Sequence, residues 1–394
     1  MHAKVFLHKL LDGAMHQKRL STLKDLVDAG LEKKTISVTS LGRSIQSPAQ
    51  QRSNIRRSDR FIGNEKVNKE RMNIFGINAK LLVGPRTRPI IIVDLSNIPN
   101  TTHHVLRAAL ALSGRTITLY EEVHPKVEEG SPEINKKFLW RLKNVLPKEC
   151  KPIIVTDAGF HNPWFKEIEA LGWDYIGRIR GRKHYRKKGR KKFVPCKELF
   201  SEATGTGKYI GEVELCPKNV IKANLYLIKK KKKGRHALNK AGKKRRGKKD
   251  KEYTAAAYEP WLLATSLPNT HTMVKKVFKI YALRMRIEES FRDLKSSQYG
   301  FGFEKARTKN ICRIEILLLI AMLAILIAWL VGCIAEKNNW QLKYQANSTK
   351  NRRILSLFFL GYEVLKKKDE KETFTVGELF DAANTIWSYP TCAA

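Results

Sequence analysis

Pro89–Leu95, PIIIVDL, and Cys150–Phe160, CKPIIVTDAGF, decide how this chain folds. In each, a run of branched apolar residues follows a proline and ends on one aspartate, Asp94 or Asp157. Such runs, bounded by turn residues, read as short strands buried in a sheet. Both carboxylates therefore stand near the C-terminal ends of buried strands, where a sheet can bring them side by side.

Working outward, Leu106–Val123 reads as two strand-like runs around a turn at Gly114, a β-hairpin. Ile134, Phe138, Leu142 and Val145 then recur at helical spacing, and Pro147 ends that helix. After the second decisive strand come a turn, a helix from about Trp164 to Leu171, and a strand in WDYIGRIRG. The order β, hairpin, α, β, α, β predicts an α/β fold, a mixed sheet covered by helices. Upstream, residues 1–83 read as a helical region for DNA binding, in which Arg52, Arg56, Arg57 and Arg60 would line one helical face beside Asn54. Arginines there supply phosphate contacts and bidentate base contacts; the alternative is a solvated basic face. Downstream, residues 182–255 mix short strand-like runs with a Lys/Arg-dense tract, Lys229–Lys251, which cannot bury a core. That tract reads as a loop gripping phosphates or as a solubilising segment.

Charge narrows the partner. The 394 residues are enough for two or three domains. Lys plus Arg number 76 against 37 Asp plus Glu, a net charge of +39 that a compact fold tolerates best with a polyanion bound. Nucleic acid is the obvious polyanion, although charge says nothing about chemistry. The six cysteines form no paired C-x-x-C motifs, so neither a zinc site nor a disulfide framework is expected, and a reducing cytoplasm fits. The N-terminus does not read as a secretory signal. Ile316–Ile334 is uncharged and nearly long enough to span a bilayer. A buried core helix is the preferred reading, since both flanks are basic and no membrane orientation follows.

A third carboxylate, Glu288, lies in KIYALRMRIEESFRDLKS, an amphipathic pattern in which Tyr281, Arg284, Glu288 and Lys295 stand as Y-(2)-R-(3)-E-(6)-K. On one continuous helix these four would share a face. Three acids gathered in so basic a chain repel one another unless cations sit between them. Mg2+, with Mn2+ as a substitute, suits oxygen donors completed by substrate phosphate. Singly, an aspartate at a strand end is usually a turn or cap residue; Asp59, Glu289 and Asp293 are read as solvated.

The motifs LGRSI, NIRRSDRFIGN, IIIVDLSNI, LRAALALSGRTITLYE, PIIVTDAGF, EPWLLATSLP, IYALRMRIEESFRDLKS and YQANSTKNRRILS occur in that order along nearly the whole chain. Together they resemble the DDE transposases of bacterial insertion sequences, specifically the insertion-sequence-four family of cut-and-paste elements. The resemblance implies an RNase H-like catalytic core, residues 84–181 and 256–340, interrupted by a β-rich insertion at 182–255, with a C-terminal helical region at 341–394. It implies that Asp94, Asp157 and Glu288 are the catalytic, metal-holding triad and that Tyr281, Arg284 and Lys295 hold strand phosphates. By the same resemblance, Trp261 stacks on a flipped base and Arg180 contacts the same DNA; without it, Trp261 reads as a core residue. Some relatives carry Trp and Asp where this chain has Leu95 and Asn97, and Trp where it has Met285. The implied partners are double-stranded DNA and a second copy of the chain, with no membrane, in the bacterial cytoplasm. The alternatives are an inactive DNA-binding regulator and a membrane protein spanning at Ile316–Ile334.

Overall fold

The computed structural model describes residues 2–230, 247, 258–367, 369 and 371–386. The Lys229–Lys251 tract therefore lies outside the described residues, except for Lys229, Lys230 and Gly247, as does the SYPTCAA ending. The described residues fall into two compact units, one from 1–150 and 285–393, the other from 151–284.

In the first unit, five helices precede any strand: α1 (His2–Leu11), α2 (Gln17–Lys33), α3 (Val38–Ser44), α4 (Gln51–Ile62) and α5 (Glu65–Val83). Polar caps start α2, α3 and α5, from His16, Ser37 and Asn64; Asn64 accepts from the Lys66 backbone N–H at 2.9 Å. Strands β1 (Ile90–Asn97), β2 (His103–Ala111) and β3 (Thr116–Pro125) follow in the spatial order β3-β2-β1, all antiparallel. The β2–β3 turn contains Gly114 at φ 75°, a conformation that favours glycine. Helix α6 (Pro132–Val145) closes this segment, with Ser131 as its cap and proline in its first turn.

The N-terminal helices do not stand apart from this sheet. Helix α5 packs on β3 and α6, and Arg71 on α5 pairs with Glu315 at 2.7 Å. Glu315 belongs to a later helix, α10 (Ile311–Lys337). The compact units thus cut the chain elsewhere than at residue 83, because α5 spends its apolar face on the sheet that follows it. Helix α10 contains the long apolar segment and is buried within the unit, as expected of a core helix. It crosses α12 (Leu357–Lys367) so closely that a Cβ at Gly361 would lie 1.8 Å from the Ala328 carbonyl oxygen. A short α11 (Gln341–Tyr344) precedes α12, and α13 (Val376–Thr385) begins with a capping box between Thr375 and Glu378.

The second unit carries β4 (Ile153–Thr156), α7 (Asn162–Ala170), β5 (Asp174–Ile179), β6 (His184–Lys187), β7 (Val194–Pro195), β8 (Lys208–Leu215), β9 (Ile221–Ile228), β10 (Trp261–Thr265) and α8 (Met273–Ala282). Its strands run in the order β4-β5-β10-β9-β8-β6-β7, with β4 and β5 parallel and the later pairs antiparallel. The large mixed sheet is as the period-2 and apolar runs predict, and the strands within 182–255 extend it. Helix α7 sits tight on β5, since a Cβ at Gly177 would meet the Phe165 ring at 2.3 Å.

One expectation fails. The pattern around Glu288 does not form a continuous helix: α8 ends at Ala282 and α9 (Met285–Lys295) begins three residues later. The Leu283 and Arg284 N–H groups bond back to Ile280 and Tyr281, each at 3.0 Å, three residues rather than four, which terminates the α-helical ladder. Tyr281 and Arg284 therefore belong to the second unit, and Glu288 and Lys295 to the first.

Candidate active site

In the first unit, β1 is buried from Ile90 to Val93 and emerges at Asp94, where burial falls to intermediate. Asp94 Oδ1 accepts the N–H of Leu95 at 2.9 Å, which fixes the carboxylate within β1, three residues before the strand ends at Asn97, rather than at its C-terminal end. Helix α9 packs across β1, β2 and β3. Glu288 is exposed in its first turn, where the helix dipole favours an acid. Two turns on, Lys295 donates to Ser96 Oγ at 2.7 Å and to the Asn97 carbonyl oxygen. Those partners directly follow Asp94 and Leu95, so Lys295 ties the end of α9 to the end of β1. Burial, reinforced by nearby Arg107, pulls the Lys295 ammonium down to about 8.

The second unit contains the other aspartate. Asp157 follows β4 and its Oδ1 accepts the Gly159 N–H at 2.8 Å. A Cβ at Gly159 would lie 3.0 Å from that oxygen, so the glycine of DAG leaves the carboxylate its close backbone cradle. Tyr281 is buried, at 4% exposure. Desolvation pushes its hydroxyl up, Arg284 and Arg178 oppose that, and Asp157 adds to it. Trp261 meets the Tyr281 ring edge-on at 4.9 Å and carries Lys230 Nζ 5.1 Å from its ring centre. It is half-buried rather than a core side chain. Arg180 pairs with Glu259 at 3.1 Å.

Within this unit the structure thus gathers an acid, two aromatic rings and several cations around α8 and β5. Within the first it joins Lys295 to Ser96 and Asn97, on the strand that bears Asp94. Among the described residues, no group of three or more His, Cys, Asp or Glu side chains is placed to hold a metal ion. The donor chemistry nevertheless suits a hard divalent cation, since Mg2+ is commonly held by one or two carboxylates with phosphate and water completing the shell.

Residues 85–327 match the family model described as a transposase DDE domain. The chain belongs to that transposase family. No curated protein matches it significantly. The matched span of this DDE-domain protein contains Asp94, Asp157 and Glu288 and all the described strands, and the family makes DNA its partner.

Several assignments are corrected by burial. Asn54 is 6% exposed, donates to the Ile45 and Ala49 carbonyls at 3.4 Å each and accepts from Ser47 at 2.9 Å. It braces the α3–α4 turn from inside and does not share the outer face with the arginines, because position 54 points opposite to 52, 56 and 60 on the helix. Those three are exposed, whereas Arg57 is drawn into a 2.7 Å ion pair with Asp25. Asp293, read as solvated, is buried against Arg115 at 2.7 Å, and desolvation still holds its carboxyl above the usual range. Arg178 was missed by sequence reasoning. Its Nη2 donates to the Glu259 carbonyl at 3.1 Å, and its buried Nε has no hydrogen-bond partner among the described residues. Strand alternation puts Arg178 on the same face as Arg180, a signal already present in GRIRG.

Proposed function

We propose that this protein is a cut-and-paste DNA transposase of the insertion-sequence-four kind, with an RNase H-like core and helices α1–α5 helping to grip DNA. The observation that carries the reading is the family match over residues 85–327, inside which Asp157 directly follows buried β4 and Asp94 stands on β1 where that strand's burial stops. Asp94, Asp157 and Glu288 would hold Mg2+, or Mn2+ in its place. When bound, such ions supply charge neutralisation for in-line phosphoryl displacement.

The chain's own residues bind and orient the DNA. Lys295, already tied to the end of β1, offers an ammonium to a strand phosphate beside Asp94. Arg284 and Arg178 supply cations beside Tyr281, and Trp261 offers its ring to a flipped base, a stacking contact worth about 1–3 kcal/mol. Arg180 contacts the same strand. Arg52, Arg56 and Arg60 on α4 track the backbone of the element end. Water attacks each inverted-repeat end to free a 3′-hydroxyl; that hydroxyl attacks the opposite strand to give a hairpin; water reopens it; and the 3′-hydroxyl joins target DNA. Two copies of the chain pair the ends, in the bacterial cytoplasm and without a membrane.

A DNA-binding regulator that does not cut is the second reading, which the net charge of +39 suits equally well. One assay separates the two. Purified protein should nick a supercoiled plasmid carrying its reading frame with native flanks, in Mg2+ or Mn2+. Asp94→Asn, Asp157→Asn and Glu288→Gln should each abolish nicking and keep duplex binding. Binding without nicking in any divalent metal would establish the regulator.

A further inference from the structure

Strand β2 is apolar along its buried length except for His104 near its start and Arg107 in its middle. Arg107 is 3% exposed and lies directly opposite Asp94 on β1 and Glu121 on β3. Residues in register on adjacent strands share a face, so Asp94, Arg107 and Glu121 form one row across the three strands. Arg107 Nε donates to Glu121 Oε2 at 2.7 Å, and Nη2 lies 2.6 Å from the same oxygen. Its guanidinium also stands 4.6 Å from the centre of the Phe291 ring on α9. The same ring has Lys295 Nζ at 5.4 Å, so Phe291 lies between the two cations' reach. Glu288, Phe291 and Lys295 are spaced to form one stripe on α9.

Stability alone does not explain the pair. A fully buried ion pair is commonly no better than an apolar pair of similar volume, and here Glu121 Oε1 is buried without a hydrogen-bond partner among the described residues. What the pair does provide is direction: Glu121 aims the guanidinium at Phe291, and the guanidinium face seats α9 over the strand that bears Asp94. We propose that Arg107 is a positioning residue, which with Glu121 and Phe291 fixes the helix carrying Glu288 and Lys295 against the end of β1. Its catalytic consequence rests on the transposase reading; the seating of α9 does not.

The test uses the full-length protein and the double variant Arg107→Met/Glu121→Met, which removes both buried charges and retains apolar volume. Hydrogen exchange of α9 should accelerate by about tenfold, with α10 unchanged. Plasmid nicking in Mn2+ should fall about a hundredfold, as ångström-scale misplacement implies, while duplex binding holds. Arg107→Lys keeps a cation without the planar fork and should fall between the two; it also decides the matter if the double variant loosens α10. Unchanged α9 exchange would overturn the proposal, and so would wild-type nicking with a loosened α9. Accelerated α9 exchange in a protein whose wild type nicks no DNA would uphold the seating and remove the nuclease reading instead.

Discussion

Lys295→Met should make the protein more stable at neutral pH and useless as a phosphate clamp. The Lys295 ammonium has an ordinary value of 10.5, which burial beside Arg107 pulls down to about 8. Each power of ten in proton affinity is about 1.4 kcal/mol, so keeping that lysine charged costs the folded state at most about 3.5 kcal/mol. Losing its bonds to Ser96 and Asn97 returns roughly 1 kcal/mol or more, leaving a net gain of about 1–2 kcal/mol for the variant at pH 7. The sign with pH follows from a folded value below the unfolded one. Below pH 8 the group is charged in both states and the cost is fully present; between about 8 and 10.5 the folded state sheds its proton first, so wild-type stability rises relative to the variant. Urea unfolding of both proteins at pH 7, 8.5 and 10 measures the difference, in which all other titrations cancel. A gap that stays constant across those pH values would show that the lysine is not held charged in a desolvated site, and the argument for a strained cation waiting for phosphate would fail.

Other outcomes are as specific. Gly361→Ala forces a methyl group onto the Ala328 carbonyl at the α10–α12 crossing; overpacking of about 1–3 kcal/mol exceeds the roughly 1 kcal/mol gained from helix propensity, so its melting temperature should fall, and a rise would mean that the helices separate freely. Replacing Arg52, Arg56 and Arg60 together by Ala should reduce the salt dependence of duplex binding by up to about 3 in log–log slope; an unchanged slope would remove α4 from the interface. Asn54→Ala should cost about 1–3 kcal/mol in stability by stranding its buried partners, with no change in sequence preference among duplexes. A shifted preference in a protein of unchanged stability would restore Asn54 to the reading face.

Much of the site was legible because the signals are local. Asp94 and Asp157 each announce themselves as the first charged residue after a buried run, and burial indeed stops there. Cap chemistry and Gly114 likewise mark their turns without help from the rest of the chain. The interruption at Leu283–Arg284 was not legible, since the apolar spacing runs through it and nothing there is a helix breaker. Asn54 beside four arginines looked like a reader of bases because composition does not say which way a side chain turns.

Sequence alone therefore determined the element types, the buried runs with the acids that follow them, the apolar core helix and the charge that demands a polyanion, because each follows from periodicity or composition over a few neighbouring residues. Only tertiary structure decided that the N-terminal helices share a core with β1–β3, that α8 and α9 belong to different compact units, and that Arg107 stands in register between Asp94 and Glu121. These depend on which distant surfaces are buried together, a competition among packings that no local pattern encodes.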